Sequence, residues 1–534
     1  MSDGNLPNGE ASTTSQTAPA TTLDRQNPWA VLAVLCIGLF MVLLDGTIVN
    51  VAIPRIMTIM DAGLSDVEWV LNAYVLVFAV TLVTLGRLGD LYGRKRLFAT
   101  GMVLFTSASL ACGLAPGIEW LIAFRVIQGL GGAAMMPSTL SIVAAIFTPA
   151  RRGAAMGVWG GVSGLATAIG PSLGGLLIDS VSWRWIFLIN IPIGVVGFLL
   201  TLRVVPESKN PTAVETLDLP GVGLVSVALF CLTFALIEGQ KYGWTSVLIL
   251  GLFAAAAIGL LIFYARERRV SQPLIDFSLF RHVNFLAGNI TGLLLSASMM
   301  GVFFTVPIFL QTVLGYSALK AGLVMSPLSV VIIFAAPAAG WLSDRLGSKW
   351  IVAAGMFLLA FGIAWMAGLT PWQGKLTPTT STTSLIAPFI VAGIGIGLGV
   401  APVTAAVMAT APLDRVGNAS GVLSTMRQFG SLMGIAILGA VLQNRIVANV
   451  TTGLQSIAAI PDDVKQRILD SLASGMQMGM PEDANGGSVA QQMMATVFKG
   501  WFTDAITTTF IVGVAFAVVG GVCALLLRSH VARK

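Results

Sequence analysis

Long apolar runs broken by short polar turns set the pattern of this chain. Runs near 29–51, 67–86, 97–115, 118–146, 154–178, 184–203, 219–237, 246–265, 285–311, 321–342, 350–369, 385–411, 416–443 and 504–527 are each long enough to span a bilayer, which takes about 20 residues. That makes about fourteen spanning helices, and an even number puts both chain ends on one side of the membrane. Nineteen of the Lys and Arg residues then fall in turns on the side of the N-terminus and nine on the other, four of those nine in the long segment 444–503. Basic residues gather in cytoplasmic turns, and long loops count little. The imbalance predicts that both termini are cytoplasmic.

Composition agrees: 56% of the residues are hydrophobic and only 10% charged, against roughly a quarter charged in a soluble domain. The net charge of +6 belongs to these membrane-edge turns, so no nucleic-acid partner is expected. Cys36, Cys112, Cys231 and Cys523 lie far apart in apolar runs and read as small core residues, not as disulfides or ligands. With only His282 and His530 available, neither a metal nor a catalytic site is expected. Residues 1–26, rich in Ser, Thr, Ala and Pro, lack a signal-peptide pattern and are expected to form a disordered cytoplasmic tail.

The two halves of the chain repeat. Gly86-Arg-Leu-Gly-Asp-Leu-Tyr-Gly-Arg-Lys95 and Gly340-Trp-Leu-Ser-Asp-Arg-Leu-Gly-Ser-Lys349 share Gly, Asp, Gly and Lys at a constant offset. Pro149-Ala-Arg-Arg-Gly153 is echoed by Pro412-Leu-Asp-Arg-Val-Gly417. The pattern predicts an all-α membrane protein of two six-helix bundles plus two extra helices. Its parts are a tail 1–26, a first bundle 27–205, a linker 206–280 with two spans, a second bundle 281–528 containing the long extracytoplasmic loop 444–503, and a tail 529–534. Within that loop, 461–472 has a helix-start pattern with an apolar stripe.

These residues resemble the major facilitator superfamily, in its fourteen-helix drug:proton antiporter branch. The loop motif at Gly86–Lys95 is one of the matching stretches. Leu44-Asp-Gly-Thr-Ile-Val-Asn-Val-Ala-Ile-Pro54 is similar to the first-helix signature. Arg125-Val-Ile-Gln-Gly129 is similar to the fourth-helix motif, and Gly170-Pro-Ser-Leu-Gly-Gly175 to the antiporter motif of the fifth helix. Trp183-Arg-Trp-Ile-Phe-Leu-Ile-Asn-Ile-Pro-Ile-Gly194 also looks like the branch. The resemblance implies that Arg125 takes part in proton transfer, that Asp90 helps hold the halves together, and that Gly170, Pro171, Gly174 and Gly175 carry antiport.

Three charges fall well inside the spans, away from their ends: Asp45, Arg125 and Arg427. A carboxylate in the bilayer is costly, and burial favours its protonated form, so Asp45 is the expected proton carrier. At 1.5 Å per residue, Asp45 and Arg125 reach similar depths in the outer half. Arg125 is expected to approach Asp45, with Gln128 on the same helix face; snorkelling of Arg125 to the outer surface is the alternative. Gly86, Asp90, Gly93, Arg94 and Asp344 are expected to latch the bundles. Asp90 would pair with Arg94 or with the N-terminus of the thirteenth helix. The second copy, with Ser343 and Ser348 in place of Gly89 and Arg94, is expected to matter less. The glycines from Gly160 to Gly175 are expected to form one smooth packing face. Thr47, Asn50, Tyr74, Met136, Phe303, Phe304 and Arg427 are the candidates for contact with cargo. Arg427 would meet either an anionic group or a helix end.

The expected activity is proton-coupled export of hydrophobic, cationic small molecules from the cell membrane. No cofactor is expected; the proton is the coupling ion. Surrounding membrane lipids and a working monomer complete the expectation. A lipid flippase or surface-lipid exporter on the same fold is the alternative, since the Met- and Phe-rich spans suit acyl chains. The chain has no Gly-x-x-x-x-Gly-Lys-Ser/Thr loop and no nucleophile–base constellation, so neither an ATP-driven pump nor an enzyme is expected.

Overall fold

Lipid offers no partner to a backbone N–H or C=O, so a spanning segment must satisfy its own polar groups as a helix. The computed structural model describes residues 27–62, 64–208, 218–270, 273–371, 376–412, 415–456 and 489–528. It contains fourteen helices long and apolar enough to cross a membrane. The first bundle comprises α1 (Pro28–Met60), α2 (Leu64–Tyr92), α3 (Arg94–Leu114), α4 (Ile118–Ile146), α5 (Pro149–Ser180) and α6 (Trp185–Val204). The extra pair is α7 (Leu219–Tyr242) and α8 (Val247–Glu267). The second bundle comprises α9 (Val283–Ile308), α10 (Ala318–Leu346), α11 (Ser348–Met366), α12 (Thr382–Met408), α13 (Val416–Ser456) and α14 (Val489–Ala524). Local chemistry starts them: the Asn27 side chain accepts the Trp29 N–H at α1, and Ser317 accepts the Lys320 N–H at α10.

Alternation along fourteen helices brings the end of α14 to the same face as the start of α1. At that terminal face Trp29 packs on Phe147 at 5.1 Å, and the Asn284 side chain exchanges hydrogen bonds with the main chain of Arg528, at 2.6 and 3.0 Å.

The bundles meet along two seams. In one, α5 lies against α10; in the other, α2 and α4 lie against α13. Small residues make both seams tight, which in a membrane replaces the hydrophobic drive to associate. A Cβ on Gly157 would sit 2.6 Å from the backbone of Pro337, and one on Gly86 would sit 3.0 Å from the Gly417 carbonyl.

The extra pair packs outside the second seam. α7 touches α2 and α13, with Val83, Val225, Leu229 and Phe429 buried together. α8 packs on α7 and exposes Leu248, Leu261 and Ile262. Arg266 closes the base of this hairpin by donating to Asp218 at 2.7 and 3.0 Å. These hydrogen bonds hold the Asp218 carboxyl below the usual carboxylate range.

Two expectations are corrected. The segment 444–503 is not all loop: α13 runs on to Ser456, and α14 starts at Val489. Hydropathy falls where the membrane ends, but the helices continue as a pair in which Asn449 donates to the Trp501 carbonyl at 3.1 Å. Ile446 and Val450 are buried there. Nor do the α5 glycines form one face. Gly153, Gly157, Gly161 and Gly164 face α10, while Gly170 and Gly174 face α1. The segment 461–472 and the tails 1–26 and 529–534 lie outside the described residues.

Candidate functional site

Asp45 lies seventeen residues into α1, about 26 Å from its start, and is fully buried. Both carboxylate oxygens are used. Arg125 of α4 donates to Oδ2 at 2.5 Å, and Gln128 donates to Oδ1 at 2.9 Å. Arg125 also donates to the Gln128 Oε1 at 2.8 Å and, through Nε, to the Val70 carbonyl of α2 at 2.9 Å. The Tyr74 ring covers the guanidinium, 4.2 Å from its centroid. One turn of α4 thus supplies the cation and the amide, because residues three apart share a helix face.

The network extends beyond the residues expected from the sequence. Gln128 also donates to Ser109 of α3 at 3.2 Å. Ser109 donates to the Phe187 carbonyl at 2.9 Å, and Asn190 of α6 donates to Ser109 at 3.1 Å. Five helices of the first bundle therefore meet at one ion pair. Asn190 lies in the Trp183–Gly194 stretch, which gave a signal for it; Ser109 and the Val70 carbonyl gave none. Burying such a pair is tolerable only when its remaining donors and acceptors are also met; Gln128 and the Val70 carbonyl meet them, while the Tyr74 hydroxyl and the Asn190 Oδ1 nearby have no partner among the described residues.

The α1–α5 contact supports this site from the far side. Gly170 faces Thr47, and Gly174 lies where a Cβ would come 2.9 Å from Ile48. A Cβ on Gly175 would meet nothing within 4 Å, so the expected tight contact is absent there. The side chain of Pro171 lies outside the described residues.

At the terminal face the two charged turns cap helices of the opposite bundle. Asp90 is buried. It accepts from Arg94 at 2.8 and 3.1 Å and from the Asn418 N–H at the start of α13 at 3.1 Å. Both expected partners are therefore present at once. Asp344 accepts from the Gly153 and Ala154 N–H groups, the fifth and sixth residues of α5, at 2.9 and 3.0 Å. Each acid sits where a helix N-terminus offers free N–H groups and positive potential. Gly417 is required beside Asp90, since a Cβ there would collide with its carboxylate. Gly93 turns the chain at φ +110°, a conformation open to glycine.

Three further contacts brace this face. Glu207, after α6, accepts the Lys95 N–H at 3.1 Å. Asp276, after α8, pairs with Arg415, and Asn418 donates to the Leu274 carbonyl at 2.5 Å.

The cargo candidates do not form one cluster. Tyr74 belongs to the Asp45 network. Thr47 donates back to the Leu44 carbonyl at 3.0 Å, and the exposed Asn50 donates to the Gly46 carbonyl at 3.1 Å. Phe304 lies toward Gly439 of α13; Met136 and Phe303 are partly buried. Arg427 of α13 lies 5.4 Å from the Trp159 ring of α5.

A family model described as the Major Facilitator Superfamily matches residues 35–435. The tetracenomycin C resistance and export protein of Streptomyces glaucescens is 34% identical over 519 residues, 97% of this chain and 92% of that protein. Multidrug resistance protein Stp of Mycobacterium tuberculosis is 37% identical over 434 residues, 81% of this chain and 79% of that protein. Multidrug transporter protein MdtP of Bacillus subtilis is 31% identical over 506 residues, 92% of each. Among solved structures, the human organic anion transporter MFSD10 (TETRAN) is similar, with a TM-score of 0.55 at 14% identity, covering 92% of this chain and 100% of that one. At that identity the likeness bears on the fold alone.

Proposed function

The chain belongs to the Major Facilitator Superfamily, and from that premise we propose that it is a proton-coupled antiporter that exports hydrophobic small molecules by alternating access. The relatives are named for resistance to and export of antibiotics and drugs, which supports efflux. The observation that carries proton coupling is the buried, closed network of Asp45, Arg125 and Gln128.

Protonation of Asp45 removes the negative charge that holds Arg125. The Arg125 N–H groups must then find other acceptors, and the contact between α1 and α4 loosens. Proton binding thereby becomes a change in helix packing. Release of the proton on the other side restores the pair. The available drive is about 2.3 kcal/mol per charge per 100 mV, plus about 1.4 kcal/mol per pH unit.

The terminal face is the cytoplasmic one, by the distribution of Lys and Arg. The bundles are capped and closed there, so this is the outward-facing state, from which cargo leaves and a proton enters. Return to the inward-facing state requires Asp90 and Asp344 to release the helix ends they cap. The chain works as a carrier in the cell membrane and not as an enzyme.

Purified protein in proteoliposomes with an imposed pH gradient tests the reading. Efflux substrates are expected to drive proton movement, and Asp45→Asn to abolish uphill transport. Uphill, proton-dependent transport by the Asn variant would overturn Asp45 as the carrier. Proton movement driven only by lipids would transfer the reading to lipid export.

A further inference from the structure

Arg427 is the intramembrane charge that the proton-coupling network leaves unexplained. It stands eleven residues into α13, about 16 Å from the start of that helix. Ser420, Ser424 and Arg427 are spaced by four and three residues and share one helix face. The direction of that face is fixed by Ser420. Its Oγ lies 2.6 Å from the Ser141 Oγ of α4 and donates to the Pro137 carbonyl at 3.0 Å. The face therefore looks at the first bundle. Two turns beyond Ser420, about 10 Å along the axis, the Arg427 guanidinium reaches across to Trp159. Its stem passes Gly292 of α9, where a Cβ would come 3.8 Å from the Arg427 Cγ.

The setting is that of an unused cation. Among the described residues the Arg427 guanidinium has no carboxylate partner and no hydrogen-bond acceptor. Arg125, the other arginine within the spans, is neutralised by Asp45 and donates to Gln128 and Val70 as well. One turn from the half-buried Arg427, the Ser424 Oγ is buried, its residue 7% exposed, and without a hydrogen-bond partner among the described residues. Unsatisfied polar groups are rare in native interiors and each calls for a ligand or another explanation. Here an uncompensated guanidinium and an unpartnered hydroxyl stand on one face. Both stand farther along α13 from the terminal face than the Ser141–Ser420 contact.

We infer that Arg427, with Ser424 beside it and Trp159 behind it, recognises an acidic oxygen group, a carboxylate or ionised phenol, on an aromatic cargo. The inference rests on the efflux reading and narrows its substrate class. It departs from the cationic cargo expected from the sequence, because an uncompensated cation in a low-dielectric site repels a second one. A guanidinium offers the planar fork that matches a carboxylate, and a serine hydroxyl adds a donor to the same group. Charge movement changes too. An anion leaving and a proton entering both carry positive charge inward, so exchange of one for one is driven by the membrane potential on two charges.

The test uses pyrenebutyrate, its methyl ester and pyrenebutylamine with the purified full-length protein, binding being read by energy transfer from tryptophan to pyrene. The wild type is expected to bind the acid about ten-fold more tightly than the ester, with the amine weakest. In Arg427→Gln, acid and ester should bind alike. Arg427→Lys, which keeps the charge and loses the fork, should retain part of the preference. Equal binding of acid and amine by the wild type overturns the proposal whether or not any variant folds. Acid preference that survives in Arg427→Gln overturns it as well. Binding needs no gradient. Acid preference lost in Arg427→Gln, together with no proton-driven transport of any probe, would therefore leave the Arg427 assignment standing and sink the efflux reading.

Discussion

At the scale of residues, Asp45 and Arg125 each make the burial of the other tolerable. Removing one partner of such a pair strands the other charge and costs about 3–5 kcal/mol. Asp45→Asn keeps the shape and the Gln128 contact but leaves Arg125 as an unpaired cation. Its melting temperature is expected to fall, and proton-driven transport to stop. Arg125→Gln should destabilise similarly by stranding Asp45. The double variant should lose clearly less than the sum of the two, since neither charge then remains. Additive losses in thermal melts would show that the pair is not coupled. These two charges were legible in the sequence because a charge within an apolar run is conspicuous. Ser109 and the Val70 carbonyl were not: a serine in a helix is unremarkable, and a carbonyl has no side-chain signature.

At the scale of elements, α5 divides its glycines between two neighbours. Gly157 lies against the backbone of Pro337, so Gly157→Val should wedge α5 off α10 and weaken closure of the terminal face. The readout is labelling of Ser420→Cys by a membrane-impermeant maleimide added from that face, expected to rise several-fold. Gly175→Ala, with open space around it, should leave labelling and transport unchanged. If the two variants behave alike, the division into two faces carries no function. The glycine spacing was visible in the sequence. The division was not, because it depends on the angle at which α1 and α10 cross α5. Element ends misled for a related reason: hydropathy reports where lipid stops, and α13 and α14 continue past it.

At the scale of the whole molecule, the repeat acts as a reciprocal exchange. Asp90 of the first bundle caps α13 of the second, and Asp344 of the second caps α5 of the first. The loss of Gly89 and Arg94 equivalents suggested a weaker second copy, yet Asp344 accepts two main-chain N–H groups and Asp90 one. Loss of a helix cap costs about 0.5–2 kcal/mol, which shifts a two-state balance by roughly 2- to 30-fold. Asp90→Asn and Asp344→Asn are each expected to raise the inward-open population by that order, read as spin-label distances between the terminal-face ends of α2 and α10. An unshifted distance distribution in Asp344→Asn would restore the unequal pair expected from the sequence. The prolonged α13 and α14 have a use of another kind. They run past the apolar stretches 416–443 and 504–527, toward the face opposite the start of α1 and the end of α14, joined by Asn449 and Trp501, and both belong to the second bundle. An antibody fragment raised against this spur would give an imaging fiducial to a protein otherwise hidden in its detergent belt. It would ride with one bundle and leave the cargo path clear.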